Sequence, residues 1–248
     1  MKKIFAFVLL TLVIVSTVLI ITSCTDSKIE RAVERTSDLD SYEATLTMTL
    51  TAGDKSDSFR VEMEIKDKED GHEQEKYEIT EGKQTTELYR DGGWLYFPAT
   101  KTKINLRDAA AAQGVDFSIY KEIVEGVVEE LPDGLIASAD VKEIDGEYII
   151  SAKLTSGEIA DDYEDAITAI KAYYNMKDAT VEGAKIDVVV DGRYVDTYTL
   201  TLNVKYLSTD YTIVASVEYS DPGERVKIEF PKGYEDYKTE SSLGNDVP

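Results

Sequence analysis

Apolar and polar residues alternate one by one along much of this chain. Ala44, Leu46, Met48 and Leu50 fall on one side of an extended segment, and Thr45, Thr47, Thr49 and Thr51 on the other. Phe59, Val61, Met63 and Ile65 repeat the pattern against Arg60, Glu62, Glu64 and Lys66. A period of two with a single apolar face predicts an antiparallel sheet, dry on one side and wet on the other. The turn-forming run Ala52-Gly53-Asp54-Lys55-Ser56 joins this first pair. The polar run 67–75 reads as a loop, followed by strands at 76–80 and 85–90. Asp91-Gly92-Gly93 then turns directly into Trp94-Leu95-Tyr96-Phe97, a hairpin signal, and 101–106 supplies the next strand.

From Phe117 the period changes. Phe117, Tyr120, Val124, Val127, Val128 and Leu131 recur three and four apart, which predicts a helix stopped at Pro132-Asp133-Gly134. Strands return at 137–142 and 148–154. A second helix carries Ile159, Tyr163, Ala166, Ile167, Ile170 and Tyr174 on one stripe, with Ser156 as its expected N-cap. Alternation then resumes through Ile186, Val188 and Val190, through Tyr198 to Val204, and through Tyr211 to Tyr219. A last strand is expected over 226–230, ended by Pro231. Near the start, Ile29 and Val33 lie four apart in a short helix ending near Asp38. The inventory is an α+β chain of about ten or eleven antiparallel strands and three helices. Something must cover the apolar sheet face, and the two longer helices are the candidates.

The first residues follow a different logic. Lys2 and Lys3 precede nineteen uncharged residues from Ile4 to Thr22, and the run closes on Ile21-Thr22-Ser23-Cys24. Positive charge followed by an apolar stretch is the order of an export signal. The ending resembles the lipobox of bacterial lipoproteins, which implies cleavage between Ser23 and Cys24 and acylation of Cys24. An uncleaved anchor is the alternative, since nineteen residues can cross a core of about 30 Å. That alternative leaves the single cysteine of the chain unexplained. Both give the same topology, a domain outside the cytoplasm held at the membrane; in a host with one membrane, this is the outer leaflet of the plasma membrane. One acyl chain anchors marginally and two anchor firmly, at about 0.8 kcal/mol per buried methylene.

Charge narrows the partners. The chain holds 49 acidic and 27 basic residues, a formal −22 spread along its length. Such a surface repels nucleic acid and anionic head groups. Candidate chemistry is sparse. The one histidine, His72, sits in the charged run Asp70-Gly71-His72-Glu73 and reads as a solvated residue. The acids of Asp67-Lys68-Glu69-Asp70-Gly71 miss the alternating spacing of a calcium loop. No phosphate-binding glycine loop or nucleophile elbow is present, so no metal, cofactor or enzymatic role is expected.

Three features carry a family likeness. They are the short helix running into Asp40-Ser41-Tyr42-Glu43-Ala44, the turn Tyr89-Arg90-Asp91-Gly92 into Trp94-Leu95-Tyr96, and the closing Val226-Lys227-Ile228-Glu229-Phe230-Pro231. With this order of elements the chain resembles the LolA/LolB-like superfamily of lipoprotein and lipid carriers, including the mycobacterial LppX/LprG-type lipoproteins. It is most similar to a group of uncharacterised Firmicutes lipoproteins of that fold. The resemblance implies a curved half-barrel over 39–237, after a signal peptide at 1–23 and a lipidated start at 24–38, with a polar tail at 238–248. It also implies a cavity under the helices for a hydrophobic ligand or lipid moiety, with Leu46, Met48, Val61, Met63, Trp94 and Tyr96 as its lining. The competing expectation is that these residues pack a filled core, the domain then serving as an interaction or sensing module for an envelope protein. A soluble carrier of this kind lacks a lipid, whereas this chain carries a lipobox, which points to a fixed acceptor, sensor or scaffold.

Overall fold

The computed structural model describes residues 25–66, 73–106, 118–128, 131 and 135–239. Helix α1 spans 25–37 and turns Ile29, Ala32, Val33 and Thr36 inward, the spacing of one helical face. The chain then forms β1 (Ser41–Ala52), β2 (Lys55–Lys66), β3 (Gln74–Glu81), β4 (Gln84–Asp91), β5 (Trp94–Phe97) and β6 (Thr102–Asn105). Helices α2 (Ser118–Val127) and α3 (Leu135–Ser138) follow, then β7 (Asp140–Ile144) and β8 (Glu147–Leu154). Helices α4 (Ser156–Asp161) and α5 (Glu164–Tyr173) lead to β9 (Thr180–Asp191), β10 (Tyr194–Tyr206), β11 (Thr209–Ser220) and the short β12 (Lys238–Thr239).

All twelve described strands belong to one sheet, ordered β12-β6-β5-β4-β3-β2-β1-β11-β10-β9-β8-β7. It consists of two meanders seamed at β1 and β11, where Leu46 faces Val217 and Met48 faces Ala215. Pairing is antiparallel except for β12, which lies parallel to β6. The sheet stays open, with β12 and β7 at its edges, and forms an α+β half-barrel around the helices. Its concave face is the core. Leu46, Met48, Val61, Ile150, Ile186, Val188, Leu200 and Leu202 are fully buried there, under Ile123, Val124, Val127, Ala166 and Ile170 of the helices. Each such aliphatic side chain contributes about 1.5–3 kcal/mol by leaving water.

Helix α2 keeps Tyr120, Ile123, Val124 and Val127 inward, and it touches α5 where a Cβ on Gly126 would lie 3.1 Å from Ala166 Cβ. A side chain there would push the two helices apart by a few tenths of an ångström, so glycine favours this close approach. On α1, Thr36 Oγ1 accepts from the N–H of Val195 at 2.9 Å while donating to Ala32 O. Val195 stands beside the register shift of β10 on β9, so this hydroxyl pins α1 to an irregular point of the ladder.

Four expectations change. The single long second helix is two helices, broken at 162–163, where Tyr163 turns inward and its hydroxyl bonds that of Tyr198. Its N-cap is Thr155 rather than Ser156, because Glu158 three residues later completes a capping box with Thr155. The strand expected at 137–142 starts later, at Asp140, since Leu135 and Ile136 are buried in α3. No strand forms over 226–230. Both sides of β11 are already taken by β1 and β10, so the chain leaves the sheet through Asp221 and Gly223, at φ 47 and 85, and crosses to the convex face. There Phe230 stacks on Tyr89 (5.2 Å between centroids) and Tyr96 meets Tyr234 edge-on at 5.0 Å. The strap ends as β12, whose Lys238 and Thr239 stand opposite Thr102 and Lys103.

Candidate functional site

Two features of the concave side differ from the dry core around them, and α2 belongs to both. The first is a cleft of about 840 Å³ between α1, α2, α5 and the first residues of β1. Leu39, Tyr42, Ile119, Val128, Ala169, Ala172 and Tyr219 give it apolar walls. Gly126 and the two alanines keep it wide, since none of the three extends a side chain into the space. Tyr42 and Tyr219 meet edge-to-face at 5.7 Å on its floor. Its rim carries Glu122, Glu125 and Asp165, so the mouth is acidic.

The second feature is a partly buried ionic cluster beside the cleft, centred on Glu75. Glu75 is 2% exposed and stands opposite Arg90 in the β3–β4 register. Arg90 Nη1 donates to Glu75 Oε1 at 2.8 Å, and Tyr77 OH donates to Glu75 Oε2 at 2.9 Å. Arg90 also lies 3.3 Å from Glu73. Lys121 of α2 reaches down to bond Glu73 and stands 4.0 Å from Glu75 and 3.6 Å from Glu125. Tyr42 OH donates to Glu125 at 3.4 Å, linking cluster and cleft.

Burial pushes the Glu75 carboxyl above its ordinary range, and Arg90 offsets part of that. Burial alone would lower Lys121, but its bond to Glu73 and the charges of Glu125, Glu73 and Glu75 outweigh this and hold it above its usual range. Burial, then the nearby Glu75 charge, pushes Tyr77 well up, and burial with Glu125 does the same to Tyr42. Lys121 thus ties α2 to the sheet through Glu73, beside the cleft that the same helix bounds.

The expected lining residues separate into two groups. Leu46, Met48, Val61 and Met63 lie together on the concave face, packed in the core and at most 2% exposed. Trp94 and Tyr96 lie on the convex face instead, because Leu95 between them takes the inward position. There Tyr96 packs under the strap and Lys103 stands 5.4 Å over the Trp94 ring. Ser23, Cys24 and His72 lie outside the described residues. The Glu75–Arg90 pair escaped the pattern reading, although its signal was present. Tyr77 and Ile79 face inward, so Glu75, two residues before Tyr77, shares their face. Among the described residues, no group of three His, Cys, Asp or Glu side chains is placed to hold a metal ion. No helix among them is long and apolar enough to cross a membrane.

Comparison with solved structures finds likeness of fold. LprF from Mycobacterium bovis is 14% identical, with 83% of this chain and 95% of that one covered, at a TM-score of 0.46. The LolA superfamily protein NE2245 from Nitrosomonas europaea is 14% identical over 83% of this chain and 94% of its own, at 0.28. A DUF1329 family protein from Desulfovibrio piger is 11% identical over 84% and 95%, at 0.30. The structures it matches thus include LolA superfamily folds. None of these likenesses is close enough to carry function across. No protein-family model matches the sequence, and neither does any curated protein.

Proposed function

We propose that the chain is an extracytoplasmic lipoprotein, cut behind Ser23 and acylated on Cys24, that binds the apolar chain of an amphiphile in the cleft between α2 and α5. The observation that carries this reading is the cleft itself. Its volume of about 840 Å³ lies within the usual span for small-molecule sites, about 300–1,000 Å³, and its walls are mainly apolar with a few polar groups at the mouth. Glu122, Glu125 and Asp165 on the rim favour a neutral or cationic head group over an anionic one. Lys121, held by Glu73 beneath, keeps α2 in place as the cleft wall. The role is one of binding rather than catalysis.

A neutral naphthylamine dye tests the reading. Its fluorescence should rise on binding, and dodecylamine should displace it more readily than dodecanoate does. Ala172→Trp fills the cleft from α5 and should abolish the signal. Unchanged dye binding by that variant would place the ligand elsewhere.

A second reading has its own support in the closed packing of Leu46, Met48, Val61 and Met63, each at most 2% exposed. With the deep concave face filled, the cleft would seat an apolar segment of an envelope protein instead. A single protein partner crosslinked at Ala172, with no extractable lipid, would favour it.

A further inference from the structure

The anchor and the fold meet at a defined place. Residue 25 is already helical, and Ile29, one turn on, is fully buried, as is Ala32. One turn rises only about 5.4 Å, so the residue that follows Cys24 is held close to the domain with no slack. Thr25 and Asp26 line a second cleft, of about 670 Å³, with Ile136, Ala137, Val141 and Tyr148. Lys28 fixes the helix start there, its Nζ 3.3 Å from Tyr148 OH and 5.7 Å over the ring. That corner belongs to β7, an edge strand whose sheet neighbour is β8 alone.

Two large apolar side chains are exposed among the described residues, Ile144 at 51% and Leu207 at 81%. They stand at opposite ends of the sheet. Ile144 stands opposite Glu147, at the end where Tyr148 faces Val190, whereas Leu207 follows the end where Lys205 faces Thr180. Only Ile144 is on the strand whose residues share a cleft with Thr25.

We infer that the β7 edge, with the start of α1 and α3, is the surface that lies on the bilayer, leaving Leu207 at the far end in water. The inference rests on acylation of Cys24. The acids of this edge, Asp26, Asp140 and Glu143, oppose an anionic lipid surface, whereas a zwitterionic one carries no net charge to repel them. A short tether at this edge fixes orientation as well as location, because the lipid enters the membrane beside β7, which carries the exposed Ile144.

The test uses the full, lipidated protein in phosphatidylcholine vesicles containing nitroxide-labelled lipid. Mass spectrometry of the N-terminal peptide first establishes the acyl group. Ile144→Cys and Leu207→Cys, both at exposed positions, are then labelled with an environment-sensitive dye; the only native thiol is occupied by lipid. The dye at 144 should shift to the blue and be quenched by the nitroxides, while that at 207 keeps its aqueous emission. With the lipid present, quenching at 207 alone, or aqueous emission at both sites, overturns the orientation and leaves the anchor standing. Absence of the acyl group overturns anchor and orientation together.

Discussion

The two halves of the concave face are built on opposite principles. Strands β8 to β11 offer Ile150, Ile186, Val188, Leu200 and Leu202, all fully buried, and the Tyr163–Tyr198 hydroxyl pair is buried among them. Under α2, strands β3 and β4 bury Glu75 and receive Arg90 and Lys121. The dry half is held by area and close packing, which have no direction. The ionic half is held by bonds that fix one position of α2 and fail together when one member is lost. A wall of the cleft is therefore fastened by the part of the molecule most sensitive to charge.

Breaking the ionic half should have the largest effect. Arg90→Leu leaves the buried Glu75 carboxylate with Tyr77 and a lysine 4.0 Å away, a loss on the order of 3–5 kcal/mol in denaturant unfolding at neutral pH. In the dry half, Leu200→Ala should cost about 3 kcal/mol, from lost burial and the cavity left behind, and should leave dye binding in the cleft intact. Arg90→Leu should also release the dye, and a dry-half variant that did the same would erase the distinction between the halves.

Smaller changes sharpen the same contrast. Tyr198→Phe orphans the buried Tyr163 hydroxyl and should cost about 1–2 kcal/mol, whereas Tyr163→Phe combined with Tyr198→Phe should recover most of that loss. Thermal unfolding of the two variants checks it. The slightest effect is in the pH profile. Because burial raises the Glu75 carboxyl in the folded state, the fold binds its proton more tightly than the unfolded chain does. Its contribution to stability is therefore complete below the ordinary glutamate range and declines as pH rises through the raised value. Glu75→Gln should remove that decline, and no variant of the dry half should touch it.

The dry half was the legible one. Alternation at Ile186–Val190 and Tyr198–Val204 gives strand, face and burial at once, because an aliphatic residue has one preferred side. The same rule places Leu46, Met48, Val61 and Met63 correctly on the concave face, yet it cannot tell a lining from a filled core. Trp94 and Tyr96 went to the convex face because two aromatic rows compete on β5, and the strap that covers them is distant in sequence. Glu75 was hidden for a related reason: a charge at an inward position is read as a loop until its partners, Arg90 and Lys121, are brought to it by the fold. The cleft depends on the crossing of α2 and α5 at Gly126 and Ala166, a contact that residue periodicity does not encode.

Photoaffinity mapping tests the binding site most directly. A neutral long-chain amphiphile bearing a diazirine on its chain is irradiated with the protein, and the adducts are located by peptide mass spectrometry. Adducts on Leu39, Ile119, Ala172 and Tyr219, lost in Ala172→Trp, are the expected result. Adducts confined to the convex face around Trp94 and Tyr96, or none above the level of an unfolded control, would contradict a ligand site between α2 and α5.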